Sequence, residues 1–157
     1  MESTIFKEVI ENIPHTPPFL FVDNIVSLDE NHIEGNYTLK ENEFFYKGHF
    51  PEKAITPGVI LIEIACQIGV MCIGLYIEIM KVKPQRYSSN ELVTFSACKF
   101  EFYKPVYPKE KITVKSKKIY YRFKKIKCEI ELFNSKNELI SKGTAEGFSH
   151  KESIKNL

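Results

Sequence analysis

The sequence contains no tryptophan, no Cys-x-x-C pair and no glycine-rich phosphate loop, and its 22 basic residues almost cancel its 20 acidic ones. Each shortage removes a class of function. A net charge of +2 gives no global field to draw in nucleic acid. The four cysteines (Cys66, Cys72, Cys98 and Cys128) form no convincing metal pattern with the four histidines, so no metal or other cofactor is expected. They read instead as reduced core cysteines. The opening residues MESTIFKEVIEN have no basic start, long apolar run or small-residue cleavage site of a secretory signal. A cytoplasmic setting is the corresponding expectation. Repeats, low-complexity tracts and Gly/Ser linkers are also missing, which leaves a single domain over residues 1–157.

What is abundant is aromatic and apolar. Twelve Phe and eight Tyr suit a β-rich body with a strongly apolar interior. From Val59 to Met80 runs VILIEIACQIGVMCIGLYIEIM, long enough to span a bilayer. Glu63, Gln67 and Glu78 interrupt it, and no partner span exists, so the expectation is a helix enclosed by protein and no membrane. Thr56 reads as its N-cap and Pro57 as its first residue, with the end near Lys81 to Pro84. A short helix is predicted over Ser3 to Glu11, stopped before Pro14. Strand-like runs follow in Phe19–Leu28 and His32–Lys40, with a turn at Asp29 to Asn31. The second half is strand-rich. Lys125 to Leu132 alternates, with Ile126, Cys128, Ile130 and Leu132 on one face. LVTFSACKFEFY, KITVKSKKIYY and LISKGTAEGF read similarly, and Asn134 to Asn137 supply a turn. The fold class is therefore α+β: a curved antiparallel β-sheet wrapped around one long central apolar helix.

Chemistry concentrates in GHFP (Gly48 to Pro51), TPG (Thr56 to Gly58) and Glu63. An imidazole titrates near working pH, as proton transfer in both directions requires, and His49 sits among Phe44, Phe45, Phe50 and Pro51. A histidine that merely hydrogen-bonds its loop is the bland alternative. Glu63 lies amid Val59-Ile-Leu-Ile and Ile64-Ala-Cys, where enclosure would favour a carboxyl that carries and donates a proton. Gln67, one turn on, makes a polar notch with it. A carboxylate fixing an interface or a buried water would look the same. Gly58, near the helix start, offers an amide with no intrahelical partner to a developing oxyanion. It could equally be a turn glycine beside proline. Together the three suit elimination next to a thioester carbonyl.

With these segments in view, PHTPPFLFVD (Pro14 to Asp23), GHFP, PGVILIE with Gln67, and FYKPVYP (Phe102 to Pro108) resemble the β-hydroxyacyl-acyl-carrier-protein dehydratases over about residues 10 to 148. That resemblance implies the hotdog fold, with His49 as catalytic histidine and Glu63 as acidic residue, fourteen positions apart as in the family. Gly58 becomes the carbonyl-orienting amide, and Val59, Gln67 and Phe50 join it as substrate-binding residues. It implies dehydration of a 3-hydroxyacyl thioester to the trans-2-enoyl thioester in fatty-acid or related acyl or polyene synthesis. The substrate chain would arrive on the phosphopantetheine arm of an acyl carrier protein and lie in a tunnel along the helix. A homodimer that shares its sites, further assembled into hexamers as trimers of dimers, is also implied. Glu instead of Asp at position 63 resembles the branch that dehydrates without isomerising. The chain departs from the family pattern at Thr16, Glu52-Lys53-Ala54, Thr56 and Lys109-Glu110, which leaves chain length and pathway open. A hotdog acyl-thioesterase and a non-catalytic acyl-carrier-binding subunit are the alternatives. Lys115 to Lys127, with seven Lys or Arg in thirteen residues, reads as a carrier-docking surface, a nucleic-acid surface or a solvated strand face. No nucleic-acid partner is expected.

Overall fold

The computed structural model describes residues 2–88 and 91–151, so positions 1, 89–90 and 152–157 of the expected domain lie outside the described residues. Helix α1 (Glu2–Glu11) leads into an irregular segment, then strands β1 (Asn24–Leu28) and β2 (His32–Thr38). A 3-10 turn (Phe44–Lys47) precedes the long helix, which comprises α2 (Gly58–Cys66), a π-helical stretch (Gln67–Met71) and α3 (Cys72–Val82). Strands β3 (Glu91–Phe102), β4 (Lys111–Arg122), β5 (Lys125–Phe133) and β6 (Leu139–Lys151) complete the chain. All six strands join one antiparallel sheet in the order β1-β2-β4-β5-β6-β3.

The period-two pattern of β5 is realised in full: Ile126, Cys128, Ile130 and Leu132 are buried, and the intervening charges face outward. Val114 and Ile112 of β4 and Ile33 of β2 extend that inner face, against which Ile64, Ile68, Ile73 and Ile79 of the helix are packed. The helix spans Gly58–Val82 with a mean hydropathy of 2.2 in its most apolar stretch, yet 72% of that stretch is buried inside the protein. It is the core, not a membrane span. At Gly69 the helix comes so close to the sheet that a Cβ would stand 3.0 Å from Ser116 Cβ and 3.1 Å from Ile130 Cδ1. Ser116 donates its hydroxyl hydrogen to the Gly69 carbonyl at 2.7 Å, taking up a carbonyl of the π-helical stretch.

Three expectations need correction. Phe19–Leu28 is not one strand: only Asn24–Leu28 pairs, because the Phe21 N–H is taken by the Gln67 side chain. Thr56 does not cap the helix. Its hydroxyl hydrogen-bonds the buried Tyr46 phenol at 2.7 Å, Pro57 occupies the cap position, and Gly58 is the first helical residue. Cys98 is exposed on β3, whereas Cys66, Cys72 and Cys128 are buried; all four are free thiols. Burial pushes the Cys72 and Cys128 thiols up, to about 12 and about 11, which leaves them unreactive. The basic stretch at Lys115 to Lys127 is largely spent in pairs on the outer sheet face. Lys115 meets Glu34, Lys124 meets Glu91, and Lys125 and Lys127 both reach Glu146 at 2.9 Å. Four of the seven cations of the stretch are thus held in surface ion pairs.

Candidate functional site

Two polar corners flank the start of the long helix, one on each side. The first is built on the loop that carries His49. Ile55 N–H donates back to the His49 carbonyl at 3.1 Å, and Thr56 N–H donates to the Val106 carbonyl at 2.8 Å, pinning the loop to the segment after β3. His49 Nδ1 stands 2.9 Å from the Ile55 carbonyl oxygen. A carbonyl only accepts, so the proton sits on Nδ1 and Nε2 keeps its lone pair. That is the tautomer of a base. Phe50 stacks on the imidazole with ring centroids 4.3 Å apart. The ring faces an open groove of about 430 Å³ lined by Ile55, Gly58, Leu61, Phe102 and Val106 among others. Gly58 opens the helix, so its N–H has no intrahelical acceptor. The Phe102 ring lies over it, 3.2 Å from where a Cβ would be.

The second corner is built on the helix itself. Glu63, with its side chain 13% exposed, receives the Gln67 amide on Oε1 at 2.8 Å. Gln67 is wholly buried and fully engaged: its Oε1 accepts Phe21 N–H at 2.8 Å, and its Nε2 also donates to the Phe19 carbonyl at 2.9 Å. The Phe21 N–H fixes which end of the amide is oxygen, so the NH₂ must face Glu63. Within this chain Gln67 is thus a strut that ties the helix to Phe19, Phe21 and Glu63. His15, which sequence reasoning passed over, brings Nε2 to 3.5 Å from the same Glu63 oxygen. Its only sequence signal was its place in the Pro14-to-Asp23 motif. Burial and the nearby Glu63 charge push the Cys66 thiol up, which removes the one sulfur nucleophile beside this corner.

Among the described residues, the groove at His49 does not include Glu63. Gly58 and Glu63 are five residues apart in α2, hence about 140° apart around the helix axis. Gly58 and Leu61 turn toward His49. Glu63 follows Val59, which is 72% exposed, on a different face. His49, Gly58 and Phe50 are therefore brought together, and Glu63, Gln67 and His15 are brought together, but the two groups are not joined within one chain. Among the described residues no cluster suited to a metal ion occurs.

A family model described as the FabA-like domain matches residues 13–139. A 3-hydroxyacyl-[acyl-carrier-protein] dehydratase FabZ of Clostridium botulinum is 43% identical over 68 residues, 43% of this chain and 47% of that protein. The FabZ of Acinetobacter baylyi is 43% identical over 63 residues, 40% of this chain and 43% of that protein. The chain thus spans less than half the length of these curated relatives. Among solved structures, the dehydratase heterocomplex ApeI:P from Xenorhabdus doucetiae superposes with a TM-score of 0.74 at 13% identity, covering 92% of each chain. Cj0977, a sigma28-regulated virulence protein from Campylobacter jejuni, gives 0.66 at 13% identity over 98% of this chain and 96% of its own. At such identities the likeness is one of fold, and the fold is the hotdog arrangement of a curved sheet around a central helix.

Proposed function

The chain belongs to the FabA-like domain family, and from that premise we propose that it dehydrates 3-hydroxyacyl thioesters borne by an acyl carrier protein, giving the trans-2-enoyl thioester. The observation that carries this reading is the His49 tautomer: an imidazole with Nδ1 held by the Ile55 carbonyl and Nε2 free, in a groove that also contains the first amide of a helix. The thioester carbonyl takes the Gly58 N–H, where the helix start adds positive potential. His49 Nε2 removes the proton α to that carbonyl, and the C–H electron pair becomes the C=C bond. The C–O bond at the β-carbon breaks, and its pair leaves with the hydroxyl, which takes a proton from Glu63 and departs as water. His49 ends protonated and Glu63 ionised; proton return through solvent resets both.

Since Gly58 and Glu63 face apart, a complete site needs Glu63 from a second copy. The twelve residues of β3 support this, because among the described residues β3 ends the sheet and pairs only with β6. Leu92, Phe95, Phe102 and Tyr103 are exposed along and just beyond that open edge. A long unpaired apolar edge invites pairing with its own copy, and a two-fold axis there gives two equivalent sites. A cavity of about 280 Å³ between the second half of the helix and the ends of β3 and β6 has an apolar wall that includes Val70, Met71, Leu75 and Val93, and a polar rim that includes Glu78 and Lys124. It suits the acyl chain. Free buried thiols accord with a cytoplasmic setting.

The test uses two inactive variants together. His49→Ala and Glu63→Gln should each lower kcat/KM on 3-hydroxyacyl carrier thioesters by about 10²- to 10⁴-fold. Co-expressed in equal amounts, they should recover about one quarter of the parent activity, because half of the dimers then hold one intact site of two. No recovery on mixing would confine the site to one chain and overturn the shared-site reading. Release of free thiol without enoyl product would identify a thioesterase.

A further inference from the structure

We propose that His15 is a positioning residue for Glu63, fixing which carboxyl oxygen meets the substrate; this rests on the reading of Glu63 as the proton donor. Two side chains converge on that carboxyl, and both approach the same atom. Gln67 Nε2 lies 2.8 Å from Glu63 Oε1, and His15 Nε2 lies 3.5 Å from it. Among the described residues no side chain hydrogen-bonds Oε2, which leaves that oxygen for the β-hydroxyl of an incoming chain.

The tautomer of His15 follows from its other nitrogen. Nδ1 is buried and has no hydrogen-bond partner. A buried N–H without an acceptor costs more than a buried lone pair without a donor, so the proton sits on Nε2, facing Glu63. The two imidazoles are thus set in opposite senses. His49 has its proton on Nδ1 and its lone pair on Nε2, while His15 has its lone pair on Nδ1 and its proton on Nε2.

The placement of His15 is maintained from both sides. Its ring stacks on Phe19 at 6.0 Å, 29° from parallel, and the Phe19 carbonyl is the one tied to Gln67. Phe19 in turn packs against Phe44, at the start of the turn that leads to His49. Residues 15–21 therefore form a strap over the helix, with Gln67 and the Glu63–His15 contact as its fasteners. Without the imidazole at 3.5 Å the carboxyl is held from the Gln67 side alone, and about its terminal bond, a torsion that is broad and roughly two-fold, either oxygen could turn inward.

The experiment compares three substitutions assayed with a 3-hydroxyacyl carrier thioester. His15→Phe keeps the ring and the stack on Phe19 but removes the donor; kcat should fall about 10- to 100-fold while KM and the melting temperature stay near the parent values. His15→Gln places its amide nitrogen where Nε2 was and should restore most of kcat. His15→Asn places its amide where Nδ1 was and should not. Full kcat in His15→Phe, or equal rescue by Asn and Gln, overturns the inference. Glu63→Gln measured alongside separates the two claims: if it keeps parent activity the Glu63 reading fails, whereas an inactive Glu63→Gln beside a fully active His15→Phe sinks only the role of His15.

Discussion

The His49 corner and the Glu63 corner are built on opposite principles. His49 stands on a loop and is oriented by backbone: the Ile55 carbonyl sets its tautomer, and the Gly58 amide supplies the partner for a carbonyl oxygen. Glu63 stands on the helix and is oriented by side chains, Gln67 and His15, which also close the strap over residues 15–21. The first corner is open, while the second is woven into the core. Backbone groups cannot be deleted by substitution, so the first corner should tolerate side-chain change around it without loss of fold. The second should couple chemistry to stability.

The sharpest break of that comparison is a stability contrast. Gln67→Leu keeps volume but strands the buried Phe21 N–H and frees the Phe19 carbonyl and the Glu63 carboxyl. It should cost about 1–3 kcal/mol in urea unfolding. His49→Ala removes one partly buried hydrogen bond and should cost about 1 kcal/mol or less by the same measure. Equal losses would mean that the two corners are not built differently after all.

A milder alteration extends the Glu63 side along the helix. Gly74 lines the cavity assigned to the acyl chain, and a Cβ there would meet no atom within 4 Å. Gly74→Leu should therefore leave short 3-hydroxyacyl substrates untouched and reduce kcat/KM for long ones about tenfold. Stability should rise by up to about 1 kcal/mol, since glycine is a poor residue in a helix interior. Uniform loss across a ladder of chain lengths would remove this cavity from the substrate path.

These contrasts also explain what was legible in the sequence. Strand β5 declared itself because Ile126, Cys128, Ile130 and Leu132 recur with the period of the pleat, and the long helix because its apolar run persists for turns on end around the polar breaks at Glu63, Gln67 and Glu78. Phe19 to Phe21 carry the same apolar signature but form no strand. Their amide and carbonyl are claimed by Gln67, a residue 46 positions beyond Phe21, and no local pattern encodes such a contact. Thr56 misled for a related reason: a hydroxyl suited to a cap was used by Tyr46 instead. Gln67 was visible as a polar residue on an apolar helix, yet its role as a strut depends on the π-helical stretch and the strap above it. His15 went unread because its meaning lies wholly in what it faces. Period and composition report faces and cores; the partners of a single polar group come from packing.

The smallest effect expected lies far from both corners, on the outer sheet face, and marks what ordinary surface pairing contributes. Lys125 and Lys127 hold the Glu146 carboxyl well below its usual range, to about 2. A carboxyl depressed in the folded state adds stability that is fully present above the ordinary carboxylate pKa and is lost as the pH falls toward the depressed value. Glu146→Gln should therefore change the melting temperature much less at pH 2, where about half of the parent carboxyl is already protonated, than at neutral pH. Above about pH 4.5 it should lower the melting temperature slightly, and added salt should shrink the difference. A gap between parent and variant that is as wide at pH 2 as at pH 7 would show that the pairs contribute through packing of the lysine stems and not through charge.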